Sequence, residues 1–484
     1  MDEFAHCTIG TARRAVLAVL LATAAGQDGQ EVDVAAAFAA VDAIAVRALD
    51  SGDPVTRGEA ALWLAQSGRA EHYAAFLALA QDEAPAARHR AILALGMLGA
   101  PGAEAFLGRL LVDSDPDEDA ELAAFALGLL DDAQPVPAID ALLRRVQGGS
   151  RRRFGPALGA LLAGLGTAPH PSRAVWLREV RDDPTSRSDA LVVLAQAALD
   201  HCDQPLTRAE ALAFLDHDAP SVRRLGLRAW RPAWRPGDAE TNRIVHLARG
   251  DADPGVRAEA LALLGRLLDR RALDLAERAA ASRFAEEAGT GARVWLALAG
   301  DAARAAIEER ILNRRVADDV RAALLGVLPA PLPPPILLLC HDLAHGDGPF
   351  ALRTAAALAL ARADSVLAPA ALATVFFAGT ADHAHDLVRL AEALRALDRL
   401  PAVQAELVGK AALDDLPGLA ARLRALAAVE PLLGCEVLLA LAADDRLSGA
   451  AVGGVLGALR KARGTRVASE HLALLPRSVA SLEP

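Results

Sequence analysis

The string His341-Asp342-Leu343-Ala344-His345 carries the densest potential chemistry in the chain. On a helix, two histidines four residues apart share a face and can hold one metal ion, with the acidic residue beside them as general base. Asp reaches one carbon less far than Glu, and no third ligand follows at a familiar spacing. Cys340 offers a soft ligand next door, and Asp382, His383, His385 and Asp386 form a second cluster further along. The expectation is that His341, His345, His383 and His385 are helix-surface and loop side chains, with no metal and no cofactor. A metal-dependent enzyme built on His341 and His345 is the alternative.

Two other patterns point to binding. In Trp230-Arg231-Pro-Ala-Trp234-Arg235-Pro236 aromatic rings alternate with guanidinium groups. Such rings can stack on bases, and Trp and Arg are the side chains most enriched at protein-binding hot spots. The plainer expectation has the Trp rings capping a core while Arg231 and Arg235 stay solvated. The run Asp113-Ser-Asp115-Pro-Asp117-Glu118-Asp119 begins like a calcium loop, but Glu118 occupies its turn-glycine slot and Ala124 its twelfth position. Asp115, Asp117, Glu118 and Asp119 are read instead as solubilising or as steering a basic partner. Gly409-Lys410 lacks the earlier glycine of a phosphate loop. Gly449, Gly453 and Gly457 make a smooth stripe suited to close packing of a terminal helix or to self-association.

The elements that position these residues come from a phrase that recurs. It is clearest at Asp251-Ala-Asp-Pro-Gly-Val-Arg257-Ala-Glu-Ala-Leu-Ala-Leu-Leu-Gly265, with variants at Asp53-Pro54, Asp82 to Arg88 and Asp218 to Arg223. Asp caps free N–H groups, Pro fits a first helical turn, and apolar residues at three- and four-residue spacing then face a core. Aligned on its Arg, the phrase gives Arg57, Arg88, Glu121, Arg153, Arg187, Arg223, Arg257, Arg293, Arg321, Arg353, Arg389 and Arg422, a period of about 33 residues. A second apolar helix usually lies between these points, so the unit is a helical hairpin.

Composition agrees. Apolar residues make up 53% of the 484 residues but aromatics only 4%, so the surplus is Ala, Leu and Val, which favour helices and close helix packing. Four scattered cysteines (Cys7, Cys202, Cys340, Cys435) exclude a CxxC site and argue against a disulfide scaffold. The net charge of −11 counts against nucleic-acid binding. Residues 1–150 carry 22 acidic and 10 basic side chains, so the acidity is confined to the first third. Two lysines stand against 49 arginines, a bias of GC-rich coding that suggests a bacterial source. The apolar run Ala15 to Ala25 is too short to cross a bilayer; it reads as a first core helix or, more faintly, as a secretory signal.

Through the D-x-x-P-x-V-R-x-x-A phrase the chain resembles the HEAT-repeat family in its short bacterial form, related to phycobilisome lyases. The resemblance spans about residues 40 to 440 and implies an all-α, right-handed solenoid of about twelve hairpins with an extended concave surface. It identifies a fold better than a function. Two HEAT-like enzyme classes fit poorly: deoxyhypusine hydroxylase needs His-Glu pairs, of which the chain has none, and alkylpurine DNA glycosylases need a basic face. No residue selects a tetrapyrrole, as a lyase-like role would require. The expected organisation is a solenoid half over residues 1–327, a Pro-rich connector or bend at 328–335, and a second half over 336–484 with capping helices. The expected function is a non-catalytic scaffold or adaptor that binds another protein, with no nucleic-acid or membrane partner, in the cytoplasm. An enzyme or enzyme subunit is the competing reading.

Overall fold

A computed structural model of the chain describes residues 34–113, 117–130, 139, 142, 151–167, 170–183, 188–231, 233–409, 415–443, 450–462, 474 and 477–480. These are helices and short turns, with no strand among them. The recurring phrase opens helices as its chemistry requires: Asp53 and Asp253 cap their helices by accepting from the backbone N–H of Thr56 (2.8 Å) and Val256 (2.9 Å), and Pro54 and Pro254 sit in the first turn.

Thirteen such helices form one layer. They are α1 (Pro54–Gln66), α2 (Pro85–Leu98), α3 (Glu118–Gly128), α4 (Arg151–Leu165), α5 (Asp189–His201), α6 (Pro220–Arg228) and α7 (Pro254–Arg266). After these come α8 (Ala285–Ala299), α9 (Asp318–Val327), α10 (Phe350–Arg362), α11 (Ala384–Ala396), α12 (Leu416–Val429) and α13 (Ala450–Ala462). A second helix precedes most of them on the other side, for example Val34–Ala48 before α1 and Pro431–Ala443 before α13. Each layer helix packs beside the next, and α13 packs back against α1, while Pro431–Ala443 packs against Val34–Ala48. The solenoid is closed into a ring.

Side-chain size decides which layer faces inward. The α1–α13 helices approach one another more closely than their partners do, as the inside of a curve demands. Small residues permit it: a Cβ added at Gly96 would lie 2.6 Å from the Ala126 carbonyl oxygen, and one at Gly128 would lie 2.7 Å from that of Leu161. Central helices such as α1 and α3 are accordingly buried almost all round.

Closure also decides where the acidity of the first third falls. The acidic first repeats do not form a free end, because α1 lies against α13, and distance along the sequence is not distance in space. The seam uses the glycine stripe, in its close-packing role: a Cβ at Gly453 would meet Thr56 Oγ1 at 2.6 Å, and one at Gly457 the Glu59 carboxylate at 3.0 Å. Gly449 lies outside the described residues. Glu59 is fully enclosed there, accepting from Arg90 Nε of α2 (2.8 Å) and Arg460 Nε of α13 (3.2 Å). Burial opposes its ionisation, but Arg460 and Arg90 hold the carboxyl below its ordinary range.

The arginine of the phrase stitches repeats together. Arg57 donates to the Ser51 carbonyl and to Asp82 of the next turn, Arg88 to the Asp82 carbonyl and Asp119, and Arg223 to the His217 and Asp218 carbonyls and Asp251. Arg257 donates to the Asp251 carbonyl and Glu287. One guanidinium thus neutralises loop carbonyls and reaches a carboxylate a repeat ahead. The register assigned by spacing needs correction at four points. Arg57, Arg88, Glu121, Arg223, Arg257, Arg321 and Arg353 hold the fourth position of their helices, whereas Arg153, Arg293, Arg389 and Arg422 do not: α4, α8, α11 and α12 place Phe154, Ala288, Leu387 and Leu419 there. Arg187 lies outside the described residues.

Around the Pro-rich segment the core continues through Leu328, Leu332 and Ile336. Pro334 and Pro335 open the helix Pro334–His345, and Arg304 donates to the carbonyl of Pro331. Residues 1–33, with the Ala15–Ala25 run, and Gly148 to Ser150 lie outside the described residues.

Candidate functional site

Between α5 and α6 the inner layer parts. α6 has nine residues, three of them arginines, and the outer helix before it, Arg208–Phe214, has seven. Helices this short and polar cannot fill the space beside α5. Only Val192, Val193 and Val222 bridge the two as buried apolar contacts, and the main core divides on either side of them. The result is a cavity of about 700 Å³ between α5 and α6.

Its floor is apolar, from Val193, Ala197, Leu206 and Leu225, and Leu474, distant in sequence, joins the lining. Nearby, the turn Arg477–Ala480 packs against α3 with Val479 buried. Polar groups fix the wall. Arg181, buried, donates to Gln196 Oε1 (2.8 Å) and is paired with Asp182 and Glu210. Gln196 in turn donates to Asp200 Oδ1 (2.7 Å), and burial raises the carboxyl of Asp200 above its ordinary range. On the other side Arg228 bonds Glu259 (2.7 Å), and Arg224 reaches Glu286 two repeats on. The hydroxyl of Ser221 is committed to Asp189 (2.8 Å) and the His201 ring to the Ala197 carbonyl (2.9 Å). An apolar floor inside a fixed polar frame suits recognition of a side chain better than bond-making chemistry.

The Trp-Arg loop adjoins this rim, since Ala229 lines the cavity. Trp230 is buried and donates its Nε1–H to the Trp234 carbonyl (2.8 Å), with the two rings edge-to-face at 5.8 Å. Arg231 is exposed and stacks over the Trp234 ring at 5.7 Å; its charge reaches Asp200. Arg235 is exposed.

The other candidates fall elsewhere. Asp117 caps α3 by accepting from Ala120 N (3.0 Å), and Asp119 is held by Arg88 (2.8 Å) and His89 (2.9 Å). Glu118 projects into solvent, and Asp115 lies outside the described residues. The helix Pro334–His345 carries His341 and His345 with ring centroids 4.5 Å apart, and His345 Nδ1 lies 3.0 Å from the His341 carbonyl oxygen. Cys340 is buried and its thiol is pushed up to about 12 by burial. His383 stacks on Phe350 at 3.9 Å and contacts Thr380 N (3.1 Å), while His385 is exposed. Among the described residues no three His, Cys, Asp or Glu side chains converge on a metal position, and no helix is long and apolar enough to cross a membrane.

Sequence reasoning missed the cavity. The only signal was the brevity of the Pro220–Arg228 segment between the flanking turns.

Residues 41–128 match the family model of HEAT repeats. That stretch is thus similar to HEAT repeats, and the all-α array of helical hairpins continues around it. No curated protein matches the chain. A crystal structure of an engineered protein aligns over 84% of this chain and 99% of its own, at 15% identity and a TM-score of 0.29, a likeness too slight to carry an argument.

Proposed function

We propose that the protein is a non-catalytic binding scaffold whose ring takes an aliphatic side chain of another protein's segment into the α5–α6 cavity. The cavity carries this reading: it lies between α5 and α6, its floor is apolar, and its polar groups are already bonded to one another. Exposed Arg231 and Arg235 with half-buried Trp234 beside it supply a cationic, aromatic rim, which favours an acidic flank on the bound segment. Asp117 and Asp119 support the fold, so steering of a basic partner would rest on Glu118.

Selection of displayed peptides on the purified protein tests this. The expected enrichment is for an aliphatic residue flanked by Asp or Glu, bound by the native chain and lost on Ala197→Arg, with Arg231→Ala weakening it several-fold. Peptides that bind native and Ala197→Arg protein equally would contradict the reading.

A further inference from the structure

The cavity between α5 and α6 already meets a side chain from the far end of this protein. In the small apolar cluster that bridges the two helices, every described member but one comes from residues 192–225. The exception is Leu474, which packs on the valines of that cluster and lines the cavity. Five residues on, Val479 is fully buried, and its turn, Arg477–Ala480, packs against α3. The C-terminal segment thus has two anchors on helices of the inner layer, one at α3 and one at the α5–α6 joint, with α4 between those helices in chain order.

The anchors are unequal. Val479 has no exposed surface, whereas Leu474 is half-buried, so less apolar area leaves water there and its contact exchanges more readily. Five residues reach at most about 18 Å; an anchored Val479 therefore keeps Leu474 beside the cavity even when Leu474 leaves it. A group tethered this closely competes at an effective concentration in the millimolar range. The volume of about 700 Å³ is what stays open with Leu474 in place, and its departure bares the wall at Val193. We propose that the segment carrying Leu474 is an occupant of the α5–α6 cavity in cis, which a partner's aliphatic side chain must displace. The proposal rests on the reading of that cavity as a side-chain site, and it adds that the protein's own C-terminal segment restrains binding there.

The probe is a fluorescent peptide of the protein's own residues 468–478, added in trans to the full chain and followed by fluorescence polarisation. A ligand meets only the fraction of molecules whose cavity is vacated, so Leu474→Gln in the full chain should bind the peptide about fivefold or more tightly than the native chain does. Adding Ala197→Arg to that variant should abolish the gain, and a peptide carrying Leu474→Gln should not bind. Circular dichroism checks that each variant is folded. Equal binding by the native and Leu474→Gln chains, or none by either, would overturn the proposal. Weaker binding by Leu474→Gln would overturn it too, since Leu474 would then be a fixed part of the wall, as would binding that survives Ala197→Arg. Failure here with displayed peptides still enriched on the native chain leaves the cavity a site for foreign segments alone; success here with no such enrichment leaves it serving only the protein's own segment.

Discussion

The α13–α1 seam and the α5–α6 joint reverse what chain order suggests. α5 and α6 belong to consecutive repeats, yet they are bridged by three valines and leave a cavity between them. α1 and α13 stand at opposite ends of the array, yet their backbones meet across Gly453 and Gly457 and enclose the Glu59 ion cluster. Packing follows side-chain size and helix length, not proximity in sequence. Two thirteen-residue helices with a glycine stripe between them interlock, whereas a nine-residue, arginine-rich helix cannot cover its neighbour.

The largest effect is expected from Glu59→Ala, which would leave Arg90 and Arg460 buried without their carboxylate. A loss of about 3–5 kcal/mol is expected for breaking such a buried pair, measured by urea unfolding. Gly457→Leu drives a side chain into Glu59 and should cost about 1–3 kcal/mol as overpacking does, with an increased radius of gyration by X-ray scattering as the ring opens. An unchanged radius would show that the glycines are not what allows closure.

Two groups at the seam should make stability depend on pH in opposite ranges. Glu59 has a folded pKa below its unfolded 4.5, so its contribution is present above that value and lost as pH falls through the folded one; Glu59→Gln should lack this acid-range loss. Lys461 falls from 10.5 to about 8, so between these values the unfolded chain holds the extra proton and stability rises with pH. Lys461→Met should flatten that rise. The smallest effect belongs to the joint: Ala197→Leu, projecting into the cavity, should change stability by less than about 0.5 kcal/mol. A cost as large as that of Gly457→Leu would erase the contrast.

Much of the fold was legible because its signals are local. Asp53, Pro54 and Arg57, and Asp253, Pro254 and Arg257, announce capped helices and a hairpin period, and the structure bonds each Asp and Arg and places each Pro in a first turn. The register slipped at Arg153, Arg293, Arg389 and Arg422 because arginine is abundant here and spacing alone cannot tell which arginine of a repeat holds the fourth helical position: Arg293 and Arg389 are exposed, while Arg422 bonds the Phe377 and Gly379 carbonyls from a different position. Closure was not legible, since it depends on curvature accumulated over the thirteen helices of the inner layer; Gly453 and Gly457 flagged close packing but not its object. The cavity was hidden for a related reason. A short helix is visible in Pro220–Arg228, but the space it leaves is a property of its neighbours.

Ring closure is the central claim, and a disulfide across the seam tests it most directly. A Cβ at position 453 would lie 2.6 Å from Thr56 Oγ1 and 2.8 Å from Thr56 Cα, so with Thr56 also replaced the two cysteines reach the roughly 3.5–4.5 Å Cβ separation of a disulfide once the seam gives by about an ångström. The buried Cys202, Cys340 and Cys435 leave few competing thiols once Cys7 is replaced by Ser. Thr56→Cys with Gly453→Cys should oxidise to an intramolecular cross-link at micromolar protein, seen as a faster-migrating monomer on a non-reducing gel, while either single variant should not. Only intermolecular dimers, or free thiols after oxidation, would show that the two ends of the array do not meet.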